Sequence, residues 1–165
     1  MSAVNGINQS NFTTNVKTYG KGLLTDLKLS TPVLSEYATG DYYSKMNEVK
    51  QNLSNTQDGK EDNAFQKTIK GLGKQIVLSL PIIGTYVLGK TKNDHENAIA
   101  QLDANKNGTK FVAKESGVIK TFVTGLCEKL KHAVPFYGTY YRGQIANEVN
   151  NLYKESQVIN EAINK

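Results

Sequence analysis

The chain has 165 residues, a formal net charge of +5 and a single cysteine, Cys127. A chain of this length buries roughly two thirds of its unfolded surface, so one ordinary domain needs neither a disulfide nor a structural metal. One cysteine excludes an internal disulfide, and the mild basic bias favours acidic partners without specifying them.

Residues 1–15 are mostly polar or small and carry no charged side chain. Such a composition buries too little apolar surface to offset the entropy of ordering, so we expect a flexible leader. The segment resembles the uncleaved leader of bacterial type III secretion substrates, which implies a secreted effector; the alternative is a plain disordered tail. Because the basic and apolar regions of a signal peptide are missing, we expect a protein that is cytoplasmic, or secreted without a cleaved signal peptide.

Three stretches of the chain align with one another after this leader. They read KTYGKGLLTDLKLSTPVL, KTIKGLGKQIVLSLPII and KTFVTGLCEKLKHAVPFY, and in each a proline follows ten residues after a Gly-Leu pair. The paired positions are Gly22 with Pro32, Gly71 with Pro81, and Gly125 with Pro135. The spacing predicts three divergent copies of one unit, about 16–58, 59–107 and 108–165, stacked to bury a common core.

Apolar residues recur at helical spacing on both sides of each proline. Phe65, Ile69, Leu72, Ile76 and Leu80 form one such series, which predicts a helix with one apolar face. A proline forbids normal continuation of the helix before it. The sequence therefore predicts an all-α fold, with residues 16–165 forming a single helical domain of three tandem helix-Pro-turn-helix hairpins.

The uncharged run Gln75 to Leu88 is the most hydrophobic stretch of the chain. Strands are an alternative there, but Pro81 argues against a central strand. The run is too short to span a bilayer as a helix, so no transmembrane helix is expected. We expect Ile76 to Leu88 to be a buried core hairpin. The alternative is a hairpin that docks to a membrane surface through Ile82 and Ile83, flanked by Lys74 and Lys90.

The third copy places charged residues, among them Glu128, at the positions equivalent to this apolar run. A charged side chain on a lipid-facing surface is costly. This argues against a membrane role shared by all three copies.

The segment from Asp103 to Glu115 is a weak candidate for a calcium loop. Asp103, Asn105 and Asn107 have the alternating spacing of loop ligands, but Lys114 stands at the twelfth position and Glu115 falls one residue late. We expect a polar turn between two repeats and no bound metal.

Catalytic and nucleic-acid-binding patterns are poorly developed. Cys127 and His132 point about 140° apart on one helix, and His95 has only isolated acidic neighbours. No phosphate-binding or dinucleotide-binding glycine motif occurs, so we expect no cofactor. Lysines are dispersed and Arg142 is the single arginine, which argues against nucleic-acid binding.

Tyrosines fall at similar positions in the three copies. Tyr42, Tyr43, Tyr86, Tyr140 and Tyr141, together with Arg142, are the candidate partner-binding residues, since tyrosine is favoured in interfaces. The sequence thus favours a non-enzymatic protein that binds a protein partner, a secreted bacterial effector among the candidates. Peripheral membrane binding is the second hypothesis, and an enzyme of unknown type is the third.

Overall fold

The computed structural model describes residues 3–54 and 61–163, and over these residues the fold consists of six helices without a strand. The helices are α1 (Ala3–Leu29), α2 (Leu34–Ser54), α3 (Ala64–Ser79), α4 (Pro81–Asn107), α5 (Val118–Ala133) and α6 (Tyr137–Ile163). The prediction of an all-α protein is confirmed.

Pro32 and Pro135 lie between two helices, and Pro81 is the first residue of α4. Val33 and Phe136, the residues after Pro32 and Pro135, adopt positive φ angles of 67° and 58°, and Leu80 before Pro81 is extended. These conformations end one helix and redirect the chain into the next. The run Gln75 to Leu88 is accordingly helical on both sides of its proline.

Helix α1 begins at Ala3 and so includes most of the predicted leader, residues 1–15, of which the first two lie outside the described residues. The helix continues against α6, where the hydroxyl of Tyr140 donates a hydrogen bond to Asn15 Oδ1 at 3.0 Å. A tertiary contact of this kind supports a helix that composition alone does not favour.

The helices pack as three pairs, α1 with α6, α2 with α3, and α4 with α5. The two helices on either side of a proline touch each other less, because the chain turns sharply between them; the angle between α3 and α4 is 120°. We call α1, α3 and α5 the outer helices and α2, α4 and α6 the inner helices. The inner helices contact one another, whereas the outer helices do not.

Each pair is held at close range by two facing glycines. A Cβ on Gly71 would lie 1.7 Å from the carbonyl oxygen of Glu36, and a Cβ on Gly40 would lie 1.7 Å from that of Lys67. The same reciprocal contact joins Gly89 to Gly125 and Gly22 to Gly143. At this distance no side chain fits between the two backbones, so each pair depends on glycine at both positions.

The inner helices form the core with their carboxyl-terminal halves. Each buries a side chain six, nine and thirteen residues after its glycine. These side chains are Met46, Val49 and Leu53 in α2, His95, Ala98 and Leu102 in α4, and Val149, Leu152 and Ser156 in α6. Eight of the nine cannot ionise near neutral pH, and His95 is the exception.

We predict that Gly71→Ala lowers the free energy of unfolding by about 2–3 kcal/mol, because the added methyl group collides with the backbone of α2. Gly73→Ala is the matched control, since a Cβ there meets nothing within 4 Å. This control should stabilise the helix by roughly 0.5–1 kcal/mol. Urea unfolding followed by circular dichroism measures both. Equal stabilities of the two variants would contradict the packing described.

Candidate functional site

The outer helices bury small or charged residues and expose their large apolar ones. Their buried residues, where side chains are described, are Thr18, Gly22, Lys67, Gly71, Thr121, Gly125 and Glu128. None of these is a large apolar side chain. A helix that packs onto an ordinary water-soluble core shows the opposite distribution.

The exposed apolar residues form a continuous row along each outer helix, which we call the apolar stripe. On α3 the stripe is Phe65, Ile69, Leu72, Ile76 and Leu80; on α5 it is Ile119, Val123, Leu126, Leu130 and Val134; on α1 it includes Phe12, Val16, Leu23 and Leu27. Exposure reaches 73% at Phe65 and 82% at Ile119. Relative to the glycine of each helix, the stripes of α3 and α5 occupy identical positions, so they present equivalent surfaces.

The prediction that Ile76 to Leu88 forms a buried core hairpin is wrong for Ile76, Leu80, Ile82 and Ile83, which are exposed, whereas the other large side chains of the range are partly buried. Ile76 is 59% exposed, Ile82 73% and Ile83 54%. Gly84, Thr85 and Gly89 are instead the buried residues of this part of α4. The small residues pack against α3 and α5, which leaves the larger ones on the outside.

Charge is distributed unevenly between the two sets of helices. The outer helices carry nine lysines and only two carboxylates, Asp26 and Glu128, whereas the inner helices carry seven basic and nine acidic side chains. Asp26 is paired with Arg142 and accepts a hydrogen bond from Thr139. The apolar stripes therefore lie on helices of strongly positive charge.

Glu128 does not interrupt the stripe of α5, because its side chain is buried on the opposite face. It accepts hydrogen bonds from Tyr141 at 2.5 Å and from Lys131 at 2.8 Å. Burial raises the pKa of this carboxyl, but these hydrogen bonds outweigh it and hold the pKa below its usual range. The argument against a membrane role shared by all three copies therefore no longer includes Glu128 and keeps only Lys129, Lys131 and His132, which are partly buried.

The proline turns also carry exposed apolar side chains. Val33 and Leu34, Ile82 and Ile83, and Phe136 and Tyr137 follow the three prolines, with exposures between 47% and 77%. A cavity of about 680 Å³ lies among the inner helices at this end of the molecule. Its lining includes Leu29, Leu78 and His132, each three residues before a proline.

The five candidate tyrosines offer little free surface. Tyr141 is buried, while Tyr42, Tyr43, Tyr86 and Tyr140 are partly buried. The hydroxyl of Tyr43 lies 3.1 Å from that of Thr91, and Tyr42 contributes to the cavity wall. Burial, strengthened by the Glu128 carboxylate, raises the pKa of Tyr141 well above its usual value.

The other candidate binding residues lie in separate places. Arg142 is partly buried, where it pairs with Asp26 and donates from Nη1 to the carbonyl oxygen of His132 at 3.1 Å. Lys74 covers the ring of Tyr43 at 4.7 Å, and Lys90 is exposed on α4.

The weak calcium-loop candidate does not form a loop around a cation. Asp103, Asn105 and Asn107 lie in the last turns of α4, and Gly108 caps that helix in the left-handed conformation with φ of 62°. Glu115 lies in the connection to α5. Over residues 3–54 and 61–163, no cluster of three or more His, Cys, Asp or Glu side chains could hold a metal ion.

The candidates for catalysis are also dispersed. Cys127 is exposed on α5, and His132 is partly buried against the ring of Tyr141. His95 is 2% exposed within the core, with Nε2 3.1 Å from Glu148 Oε2. Burial lowers the pKa of His95, although the neighbouring Glu148 carboxylate opposes this in part.

No protein-family model matches this chain, and neither a curated protein nor a solved structure is significantly similar to it. Within the described residues, no helix on its own has the length and hydropathy needed to cross a membrane. Only α3 and α4 together reach them, as a pair bent by 120°.

We predict that acid weakens the fold through its histidines. Burial lowers the pKa values of His95 and His132, so below about pH 6.5 the unfolded chain takes up protons before the folded one does. The free energy of unfolding should therefore fall between pH 7 and pH 5. The folded protein also lowers the pKa values of three carboxyl groups, those of Asp26, Asp41 and Glu128. The stability that these groups contribute to the protein is therefore lost only below about pH 4.

His95→Met should reduce this pH dependence, because Met46 stands at the equivalent position of α2. Urea unfolding of both proteins at pH 5 and pH 7.5 measures the difference, and His132 accounts for the remainder. An unchanged pH dependence in the variant would show that His95 is not held neutral by burial.

Proposed function

We propose that the protein binds membranes peripherally, docking the apolar stripes of its outer helices onto bilayers with anionic head groups. The observation that carries this proposal is the distribution of side chains on the outer helices. Their helix contacts use glycine and threonine, while leucine, isoleucine, valine and phenylalanine face outward. This is how helices pack in a lipid environment, where small residues let backbones approach closely.

Each stripe has the dimensions and chemistry of an interfacial helix. The stripe from Phe65 to Leu80 is roughly 22 Å long, from the rise of 1.5 Å per residue. Lysines on the same helices extend alkyl stems along apolar surface and place ammonium groups at the level of lipid head groups. Lys17, Lys28 and Lys120 are exposed, and none has a carboxylate partner among the described residues.

Charge favours an anionic bilayer over a second copy of this chain as the occupant of the stripes. Two outer helices facing each other would bring together lysines with no exposed, unpaired carboxylate to balance them. An anionic surface attracts each such lysine by about 1 kcal/mol. The partly buried tyrosines give the alternative, a protein partner bound through them, less support.

We further propose that the fold is three copies of one unit, each giving an outer helix, a proline turn and an inner helix. Its support is the threefold recurrence of the glycine contact, in which each outer helix packs on the inner helix of the preceding copy. Helix α1 of the first copy packs on α6, the inner helix of the last copy, and this contact completes the series. The three copies would then present three chemically similar docking surfaces.

We predict that Ile76→Asp combined with Leu130→Asp lowers binding to anionic vesicles at least tenfold, because a carboxylate replaces an apolar side chain on two stripes. Flotation of the purified protein with anionic and neutral liposomes measures this. The helical content should not change, since Ile76 and Leu130 are 59% and 60% exposed. Ile82→Asp or Ile83→Asp at the second proline turn should act in the same direction.

Val158→Asp is the matched control for that experiment. Val158 is 66% exposed but lies on the inner helix α6, away from the stripes. This variant should float like the wild type. Failure of the wild-type protein to float with anionic vesicles at low salt would overturn the proposal, as would equal loss in all variants.

We also predict that Lys28→Gln with Lys120→Gln weakens binding to anionic vesicles about 30-fold, from the loss of two favourable charges. Binding of the wild type should fall with added salt, and the variant should show a smaller salt dependence. Vesicle partitioning at several salt concentrations gives both values. An identical salt dependence in the two proteins would show that these lysines do not face the bilayer.

A further inference from the structure

The cavity among the inner helices has the size of a ligand-binding pocket. Its volume of about 680 Å³ falls within the range of roughly 300–1,000 Å³ that small-molecule sites occupy. The wall extends from the proline turns, at Leu34 and Leu78, to His95 and Val149 at the edge of the core. On α2 the wall runs from Leu34 to Lys45, a length of roughly 17 Å at 1.5 Å per residue, which favours a long and narrow ligand.

Most of the wall is apolar, but two polar groups on it have no protein partner. The hydroxyl of Tyr42 and the imidazole of His132 make no hydrogen bond within the described part of the chain, and both line the cavity. The ring of Tyr42 packs against the core and meets that of Tyr43 edge-on at a centroid distance of 5.3 Å. Both groups reach the cavity, so they are available to hydrogen-bond with a ligand.

The charges around the cavity leave a net positive potential for a ligand. Two carboxylates line it, and both are satisfied within the protein. Asp41 pairs with Lys45 at 2.9 Å and with Lys67 at 3.0 Å, and Glu128 is held by Lys131 and Tyr141. Lys28, Lys92 and Arg142 also contribute to the wall.

The cationic groups near the turns mark where a head group would lie. Lys28 has no carboxylate partner among the described residues. Arg142 uses Nε to pair with Asp26 and Nη1 to donate to His132, so its Nη2 group has no partner within the described part of the chain. The carbonyl oxygen of His132 accepts the hydrogen bond from Arg142 Nη1, so these two residues are neighbours. A single negative charge at this end would meet the unpaired ammonium of Lys28, the Nη2 group of Arg142, whose guanidinium also pairs with Asp26, and the ring of His132.

We propose that this cavity binds one amphiphile of the fatty-acid type, with its alkyl chain between the inner helices and its anionic head group near Lys28, His132 and Arg142. The site is distinct from the apolar stripes, which lie on the outer face of the molecule. The proposal does not depend on membrane docking. Free fatty acid and a phospholipid acyl chain share this chemistry and are distinguished below.

The test is a titration of the protein, without vesicles, with the fluorescent long-chain fatty acid cis-parinaric acid below its micellar concentration. We expect saturable binding with one probe per chain. Displacement by decanoate, dodecanoate and tetradecanoate should strengthen about fourfold for each added methylene until the cavity is filled. Native mass spectrometry after incubation with anionic vesicles then shows whether a fatty acid or a whole phospholipid is retained.

Ala146→Phe fills part of the cavity and should lower probe affinity at least tenfold, whereas Ala133→Phe, on the exposed end of α5, should leave it unchanged. Ala38→Phe is a second filling variant should the first not fold. Lys28→Gln should weaken carboxylate ligands by up to about fivefold and leave the matching alcohols unaffected. Loss of binding in Ile76→Asp would place the probe on the stripes instead.

The proposal is overturned if the wild type shows no saturable binding, or if folded Ala146→Phe and Ala38→Phe bind the probe as the wild type does. Flotation of Ala146→Phe with anionic vesicles separates this result from the membrane proposal. The variant should float normally, since no stripe residue changes. Normal flotation without probe binding would leave membrane docking intact and reject the cavity as a lipid site.

Discussion

The fold depends on three close contacts between helix backbones, each made by a pair of glycines. Gly22 with Gly143, Gly40 with Gly71, and Gly89 with Gly125 bring each outer helix against an inner one at a separation that excludes side chains. Such contacts gain stability from backbone packing and bury little apolar side-chain surface. These contacts leave no room for the large apolar residues of the outer helices inside the molecule. Those residues therefore lie on its surface.

Two surfaces follow from this constraint. Outside, the apolar stripes lie on helices whose lysines exceed their carboxylates by seven, so they suit an anionic apolar surface such as a bilayer interface. Inside, the inner helices pack tightly against one another only in their carboxyl-terminal halves, which begin at Met46, His95 and Val149. Toward the prolines they leave a cavity whose wall holds polar groups without partners. The cavity lies at the end of the molecule where the proline turns are, whereas the stripes run along the outer helices.

The sequence predicted the helices well and their packing poorly, for identifiable reasons. Proline marks helix boundaries through a local steric effect, so Pro32, Pro81 and Pro135 located the turns. Helical spacing predicted that Phe65 to Leu80 share one face, but periodicity does not reveal what covers that face. Gly22, Gly71 and Gly125 were recognised from their spacing to the prolines, yet the residues that they contact lie on other helices and are distant in the sequence. The sequence singled out Tyr42 as a partner-binding candidate and considered His132 for catalysis, but it did not indicate that both line one cavity, because that cavity forms only in the tertiary structure.

The native cysteine allows the most direct test of the central claim that the outer helices contact lipid. Cys127 is exposed on α5, beside the stripe residue Leu126. An environment-sensitive fluorophore attached there should shift its emission to shorter wavelength on addition of anionic vesicles and be quenched by lipids labelled within the bilayer. The same fluorophore on Val158→Cys in a Cys127→Ser background should not respond. An unchanged emission at Cys127, in a folded protein at low salt, would contradict membrane docking through the outer helices.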